Sequence, residues 1–387
     1  MKVALISSIV PRNSSGGYAV LYRHLHDARN IDILVVSDGA APGFPHKVVR
    51  HRIHSRILKR LAKGPLRRWS LDCQEFCNPV DTSAVDMMCR DYAPDLIMTV
   101  AHGELWKLAA QAARARRLPL VSLFHDWWPD FVDAHVWLKP RLDEEFRGLH
   151  RSSTTSLCIC PGMLASLGKH PNAQILYPMP YQQPICNNDR IELDSDRREL
   201  KIIYLGNLAD YGHMLQQALD VTKNHPRIRL EVRGTDPRWP SAFKQEMQVR
   251  SLWRDFAPRD EQDQWLSSAD ALLVAMSFDP SMRRQMETSF PSKLVNYVQI
   301  CKPVVIWGPE YCSAIRWARP MRRALCVTSS HPNNLVSALE NLDRCERQRL
   351  GASAREAAMT DFNADRIQSQ FLAALRAAAA RRSRGRL

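Results

Sequence analysis

The chain has 387 residues, 45% of them hydrophobic and 24% charged, and a net charge of +14. That length suits two or three domains with sizeable cores, and the composition excludes a disordered, fibrous or collagen-like chain. No apolar run approaches a membrane span, and the excess positive charge points to an acidic partner: nucleic acid, an anionic membrane surface or a phosphorylated substrate.

Lys2 to Ser8 is an apolar run and reads as a central parallel strand. It is too short, and too soon followed by Pro11-Arg12-Asn13, to read as a secretory signal. The loop Pro11 to Tyr18 carries Gly16 and Gly17 ahead of a helical stretch, Ala19 to Asp27. Strand, glycine loop and helix start together suit the approach of a phosphate or sugar, although the spaced third glycine of a dinucleotide fingerprint is missing. Ile31 to Ser37 is a second strand. Ile53, Ile57, Leu58 and Leu61 then recur at helical spacing among Arg56, Lys59, Arg60 and Lys63, predicting a short basic amphipathic helix. Leu96 to Val100 and Pro119 to Phe124 are further strands, ending in Ala101-His102-Gly103-Glu104 and His125-Asp126-Trp127-Trp128. Alternating strands and helices predict a parallel α/β sheet, whose ligands sit at the C-terminal strand ends. Gly16, Gly17, His102, His125 and Asp126 all fall there.

Thr155 to Cys160 is another strand, and the Pro- and Asn-rich stretch after Pro178 reads as a connection. A second α/β unit follows. Its strands are Lys201 to Leu205, Arg227 to Val232, Leu252 to Phe256, Ala271 to Ser277, Val304 to Trp307 and Ala324 to Thr328. Phe278 to Thr288 reads as a loop. Ser289-Phe290-Pro291-Ser292-Lys293-Leu294 then opens a helix that Ser289 or Ser292 can cap, with Lys293 near the free N–H groups of its start. Two Ala-rich helices close the chain before the basic tail 381–387. The ten cysteines show no zinc spacing and read as reduced structural thiols.

Taken together, Pro11 to Gly17, Phe124-His125-Asp126, Tyr204 to Leu208, Trp265 to Leu273 and, above all, Phe290 to Leu294 with Lys302-Pro303-Val304-Val305 resemble the GT-B glycosyltransferases of the family 4 group. The resemblance implies two Rossmann-like, doubly wound parallel-sheet domains facing a cleft. The implied divisions are an acceptor-side domain at 1–180, a linker at 181–199, a nucleotide-sugar donor domain at 200–362, a helix at 363–380 crossing back to the first domain, and the tail. It implies transfer of a sugar from a nucleotide-sugar donor to a saccharide or lipid-linked acceptor, with retention and without a metal or other cofactor. His125, Lys293 and Arg283 are the implied catalytic residues. The donor set is Gly16, Gly17, Asn207, Arg233, Gly234, Phe256, Ala257, Ser289, Phe290, Pro291, Ser292, Leu294 and Asn296, with His102 and Asp126 on the acceptor side. The family's paired glutamates fall here on Thr288 and Asn296, and its usual glycine before Lys302 is Cys301.

The chemistry requires cations and helix-start N–H groups around a leaving nucleoside diphosphate. A sugar-nucleotide epimerase is the alternative enzyme, and a non-catalytic partner of an active transferase is the alternative outside catalysis. Nucleic acid is not expected, because no aromatic-interleaved surface accompanies the charge. The basic region 46–68 instead makes an anionic membrane surface a candidate partner, with the protein peripheral at its cytoplasmic face.

Overall fold

The computed structural model describes residues 1–387 apart from 14, 15, 29, 50–56, 59, 77–82, 182, 183, 185–198, 236 and 385–387. Most of the expected linker therefore lies outside the described residues, as do Ile53, Arg56 and Lys59 of the expected basic helix, Cys77 and the end of the tail. The chain divides into two compact units, Met1–Met179 with Asp365–Leu387, and Pro180–Ala364.

The first unit is built on seven parallel strands, β1 (Lys2–Ile6), β2 (Asp32–Ser37), β3 (His46–Val48), β4 (Leu96–Val100), β5 (Leu120–Phe124), β6 (Thr155–Cys158) and β7 (Ala173–Ile175). Their order is β3-β2-β1-β4-β5-β6-β7. β1, β4 and β5 are apolar on both faces and almost wholly buried, as strands covered by helices on either side must be. The edge strands β3 and β7 were not assigned from the sequence. Each spans 3 residues and neither is fully buried, so neither leaves an apolar run. The helices Arg67–Phe76, Trp128–Phe131, Lys139–Ser152 and Pro161–Leu167 were not anticipated either. The last helix, Ala364–Arg384, packs on this unit. Gln368 bonds both the His24 carbonyl (2.8 Å) and His24 Nδ1 (3.2 Å), and Gln370 donates to the Ile175 carbonyl.

The second unit has six parallel strands, β8 (Leu200–Leu205), β9 (Ile228–Arg233), β10 (Trp253–Arg254), β11 (Ala271–Ala275), β12 (Val304–Trp307) and β13 (Leu325–Val327), ordered β10-β9-β8-β11-β12-β13. Its core gathers Tyr204, Leu230, Leu273, Val305 and Trp307. The stretch expected as a loop from Phe278 holds a 3-10 turn, Pro280–Met282, and a helix, Arg283–Thr288. The next helix, Ser292–Val298, has Pro291 as its N-cap and no side-chain cap bond, so neither Ser289 nor Ser292 caps it. The Ser289 carbonyl is instead taken by the Ser313 hydroxyl. Cys73, Cys89, Cys158, Cys160, Cys312, Cys326 and Cys345 are free thiols, whereas Cys301 is disulfide-bonded, against the expectation of reduced thiols. Among the described residues no helix is long and apolar enough to cross a membrane.

Candidate functional site

The second unit brings a lysine to the end of its central strand. Tyr297, on the helix Ser292–Val298, uses its hydroxyl to accept from the Leu205 N–H at 2.8 Å and donate to the Leu205 carbonyl at 3.2 Å. This ties the exit of β8 to the helix that carries Lys293. At the exit of β9, a Cβ on Gly234 would meet the Gly206 carbonyl oxygen at 2.1 Å, so the two loops touch backbone to backbone and only glycine fits. Lys293 Nζ donates to the Tyr204 hydroxyl at 2.6 Å, lies 4.0 Å from that ring's centroid and 5.4 Å from the Tyr211 ring. The Tyr204 hydroxyl passes its own proton to the Asn207 carbonyl at 2.9 Å. Burial pushes the Lys293 ammonium down to about 7, opposed by the Asp210 carboxylate. A partly desolvated cation held by a hydroxyl and two rings, rather than by a paired carboxylate, has unspent capacity for an anion.

The other donor-side candidates divide. Gly234 and Asn207 belong to the Lys293 loops, with the Asn207 amide folded onto Ala209 N–H (2.7 Å) and Asp210 (3.0 Å). Arg233 is buried at the end of β9, bonded to Glu261 at 2.9 Å and stacked 4.6 Å from the Trp265 ring, while its Nε and Nη1 have no hydrogen-bond partner among the described residues. Phe256 is exposed, and the Ala257 carbonyl accepts from Gln262. Phe290 packs on Trp317 and Phe362, and Leu294 is in the core. Asn296 Oδ1 accepts from the Tyr181 N–H at 3.2 Å, and the Thr288 hydroxyl donates to the Arg284 carbonyl at 2.7 Å. Arg283 is committed elsewhere, to Glu287 at 3.0 Å and to the Tyr311 ring at 4.7 Å.

The first unit gathers its candidates at the ends of β1, β4 and β5. Ser8 Oγ accepts from the N–H groups of Glu104 (3.1 Å) and Leu105 (3.2 Å), capping the helix Leu105–Arg116 from a distant loop. Gly103, at φ +72°, leaves room for this, since a Cβ there would fall 2.4 Å from Ser8 Cβ. The His102 ring lies 4.2 Å from the Trp128 ring, which stacks at 6.4 Å on Phe131. Burial lowers the pKa of His102 and of His125, and Asp126 opposes both shifts, so both imidazoles are neutral at neutral pH. The helix Gly16–His26 starts in the same unit, and a Cβ on Gly17 would meet open space. A cavity of about 370 Å³ is lined by Ser8, Asp38, Arg67, Gly103, Trp128 and Phe131 among others. A larger one, about 650 Å³, involves Leu118, Leu120 and Thr154 at the opposite, N-terminal strand edge, where α/β sheets do not bind ligands. Among the described residues no group of three or more His, Cys, Asp or Glu is placed for a metal ion.

Sequence reasoning missed Tyr204, Tyr211, Ser8, Trp128 and Phe131 as site residues. Tyr204 had a signal in its place just ahead of Gly206 in a strand-to-loop motif, and Ser8 and Trp128 in theirs at C-terminal strand ends.

No family model and no curated protein matches the sequence. Solved structures do match, along nearly the whole chain. Anabaena HepE in complex with UDP superposes with a TM-score of 0.69 at 13% identity, covering 97% of this chain and 100% of that one. Sucrose-phosphate synthase from Thermosynechococcus elongatus gives 0.65 at 14% identity, with 98% and 99% covered. The fold is GT-B. WaaG, a glycosyltransferase involved in lipopolysaccharide biosynthesis, shares it with a TM-score of 0.61 at 14% identity over 96% of this chain and 98% of its own. In this GT-B chain the strand order reverses between β1 and β4 in one sheet and between β8 and β11 in the other. The His102 cluster lies at the first reversal and the Lys293 cluster at the second, where open α/β sheets hold ligands.

Proposed function

We propose that the protein transfers a sugar from a nucleoside-diphosphate sugar to a saccharide or lipid-linked acceptor, with retention and without a metal. One observation carries this reading: Lys293, lowered to about 7 by burial, stands at the β8 exit with a hydroxyl and aromatic faces around it. A diphosphate arriving there restores its full charge, and that charge stabilises the leaving group as the glycosidic bond breaks. Gly206 and Gly234 allow backbone to approach the ligand, and Arg233 brings unsatisfied donors to the neighbouring strand end. In the first unit, neutral His125 is assigned to the transferred sugar, Gly16 and Gly17 to the donor phosphates, and His102 and Asp126 to the acceptor. The leaving phosphate takes the acceptor's proton, so no separate base is required. Two proteins whose fold this chain shares support the reading: WaaG, a glycosyltransferase by its name, for the class of reaction, and HepE, solved in complex with UDP, for a nucleoside diphosphate in the site. Cytoplasmic residence beside an anionic membrane completes the reading, supported by the basic region 46–68.

The test is transfer and donor hydrolysis over a panel of nucleotide sugars, in wild type and in Lys293→Ala. Turnover of one donor, lost in the variant with its fold intact, supports the proposal. No turnover and no nucleotide binding refutes it. A second reading, a nucleotide-binding but non-catalytic partner of an active transferase, is favoured by Thr288 and Asn296, whose side chains engage the Arg284 carbonyl and the Tyr181 N–H. Binding without turnover of any donor selects it.

A further inference from the structure

The first unit carries an apolar and basic ridge that the transfer chemistry does not use. Trp69 and Leu66 are about half exposed, and Val136 and Trp137 are 82% and 72% exposed. Single exposed apolar residues are ordinary, but the two segments that carry these are tied together. The helix Arg67–Phe76 is tied to the segment 131–138 by Arg67 and Arg68, at 3.0 and 3.7 Å from Asp133, and by Asp72, which accepts from the His135 N–H at 3.1 Å and pairs with the His135 ring. The His135 ring in turn lies 6.1 Å from that of Trp137. Arg60 and Lys63 stand exposed just ahead of the helix, and the Arg67 and Arg68 side chains are mostly exposed despite their contact with Asp133.

We propose that this ridge docks the protein on an anionic bilayer, with Trp69, Val136 and Trp137 in the interface and Arg60, Lys63, Arg67 and Arg68 against the lipid phosphates. Indoles with a polar tip beside long basic side chains are the set that suits the boundary between headgroups and acyl chains. A second copy of the chain would bring like charges together across a symmetric contact, which disfavours self-association. The ridge also borders the 370 Å³ cavity, whose lining includes Arg67, Phe131, Val132 and Asp133. Resting on the transferase reading, this adjacency selects a lipid-linked acceptor, whose sugar enters the cavity while its lipid stays in the membrane.

Sedimentation with phosphatidylglycerol-containing vesicles tests the docking, with pure phosphatidylcholine as control. The full-length protein is expected to bind the anionic vesicles, partly resisting salt because burial of the apolar residues is not screened. Trp137→Ser combined with Trp69→Ser, and separately Arg60→Glu with Lys63→Glu, are each expected to lower vesicle affinity roughly tenfold or more. No binding by wild type, or apolar variants that bind like wild type, overturns the proposal. So does a dimer in solution that the apolar variants convert to monomer, which makes the ridge a self-interface. Thermal melting guards against unfolded variants, and Val136→Ser serves as the milder alternative if the tryptophan pair does not fold. Nucleoside diphosphate binding, measured on the same samples, separates the two claims: its absence strikes the transferase reading and leaves the vesicle result standing.

Discussion

The Lys293 ammonium donates to the Tyr204 hydroxyl at 2.6 Å and sits 4.0 Å from the centroid of the same ring, although the two residues are 89 positions apart. One side chain thus offers the cation both a dipole and a π face, an arrangement that holds a charge in place without neutralising it. Lys293→Ala is therefore expected to lower turnover about 10²–10³-fold, as removal of a group that stabilises transition-state charge does, with little loss of melting temperature. Tyr204→Phe keeps the ring and loses the hydroxyl. It should weaken diphosphate binding at neutral pH by several-fold, because the ammonium then loses a hydrogen bond that favours its charged form. Steady-state rates and melting curves on the two variants check both.

Binding should also be linked to protons. Lys293 titrates near 7 when free, and a bound diphosphate raises that value. Diphosphate affinity is then greatest below pH 7 and falls as pH rises through 7, until the bound-state value is passed. Calorimetric titrations in buffers of different ionisation enthalpy should show proton uptake at pH 7.5 to 8, absent in Lys293→Met.

Gly234 faces the Gly206 carbonyl so closely that a methyl group there would lie 2.1 Å from it. Gly234→Ala must part the two loops. A loss of about 1–3 kcal/mol of stability is expected, visible in denaturant melts, with donor affinity falling as Lys293 loses its support.

His24 gives the first unit a signature in acid. It is buried between the Gln368 amide and the Phe371 ring, and burial lowers its pKa to about 3. The folded state therefore holds the neutral ring where the unfolded chain, at about 6.5, would protonate. Its contribution is fully present above pH 6.5 and is lost as pH falls from there toward 3. His24→Leu should lower stability at neutral pH by losing the Gln368 bond, yet show a shallower decline in melting temperature between pH 6.5 and 4.

Trp128 and His102 form a surface suited to a sugar face rather than to phosphate. Trp128→Ala is expected to raise acceptor KM about tenfold and leave donor hydrolysis near wild type. A matched loss of both rates would place Trp128 in general folding instead.

Much of the fold was legible because buried parallel strands leave continuous apolar runs. β1, β4, β5, β11 and β12 are such runs, and their alternation with helices predicted the doubly wound sheets that are found. β3 and β7 left no such trace, because half-covered edge strands of 3 residues carry charged or polar side chains. The position of Lys293 at a helix start was legible from Pro291 and the apolar run after it. Its partner was not, because Tyr204 reaches it through the packing of a strand against a helix. The expected serine caps failed because the helix places Pro291, which has no polar side chain, at its N-cap, with Ser292 already the first helical residue. Asn296 and Thr288 were visible as departures, but only their hydrogen bonds to Tyr181 and Arg284 show what those side chains do instead.

The most direct measurement is calorimetric titration of wild type and Lys293→Ala with a panel of nucleoside diphosphates at pH 7. The account predicts that at least one binds wild type and that the variant binds it roughly tenfold or more weakly, as expected when a charge-assisted contact is lost. No binding by wild type, or equal binding by both proteins, would contradict the assignment of Lys293 to the donor diphosphate.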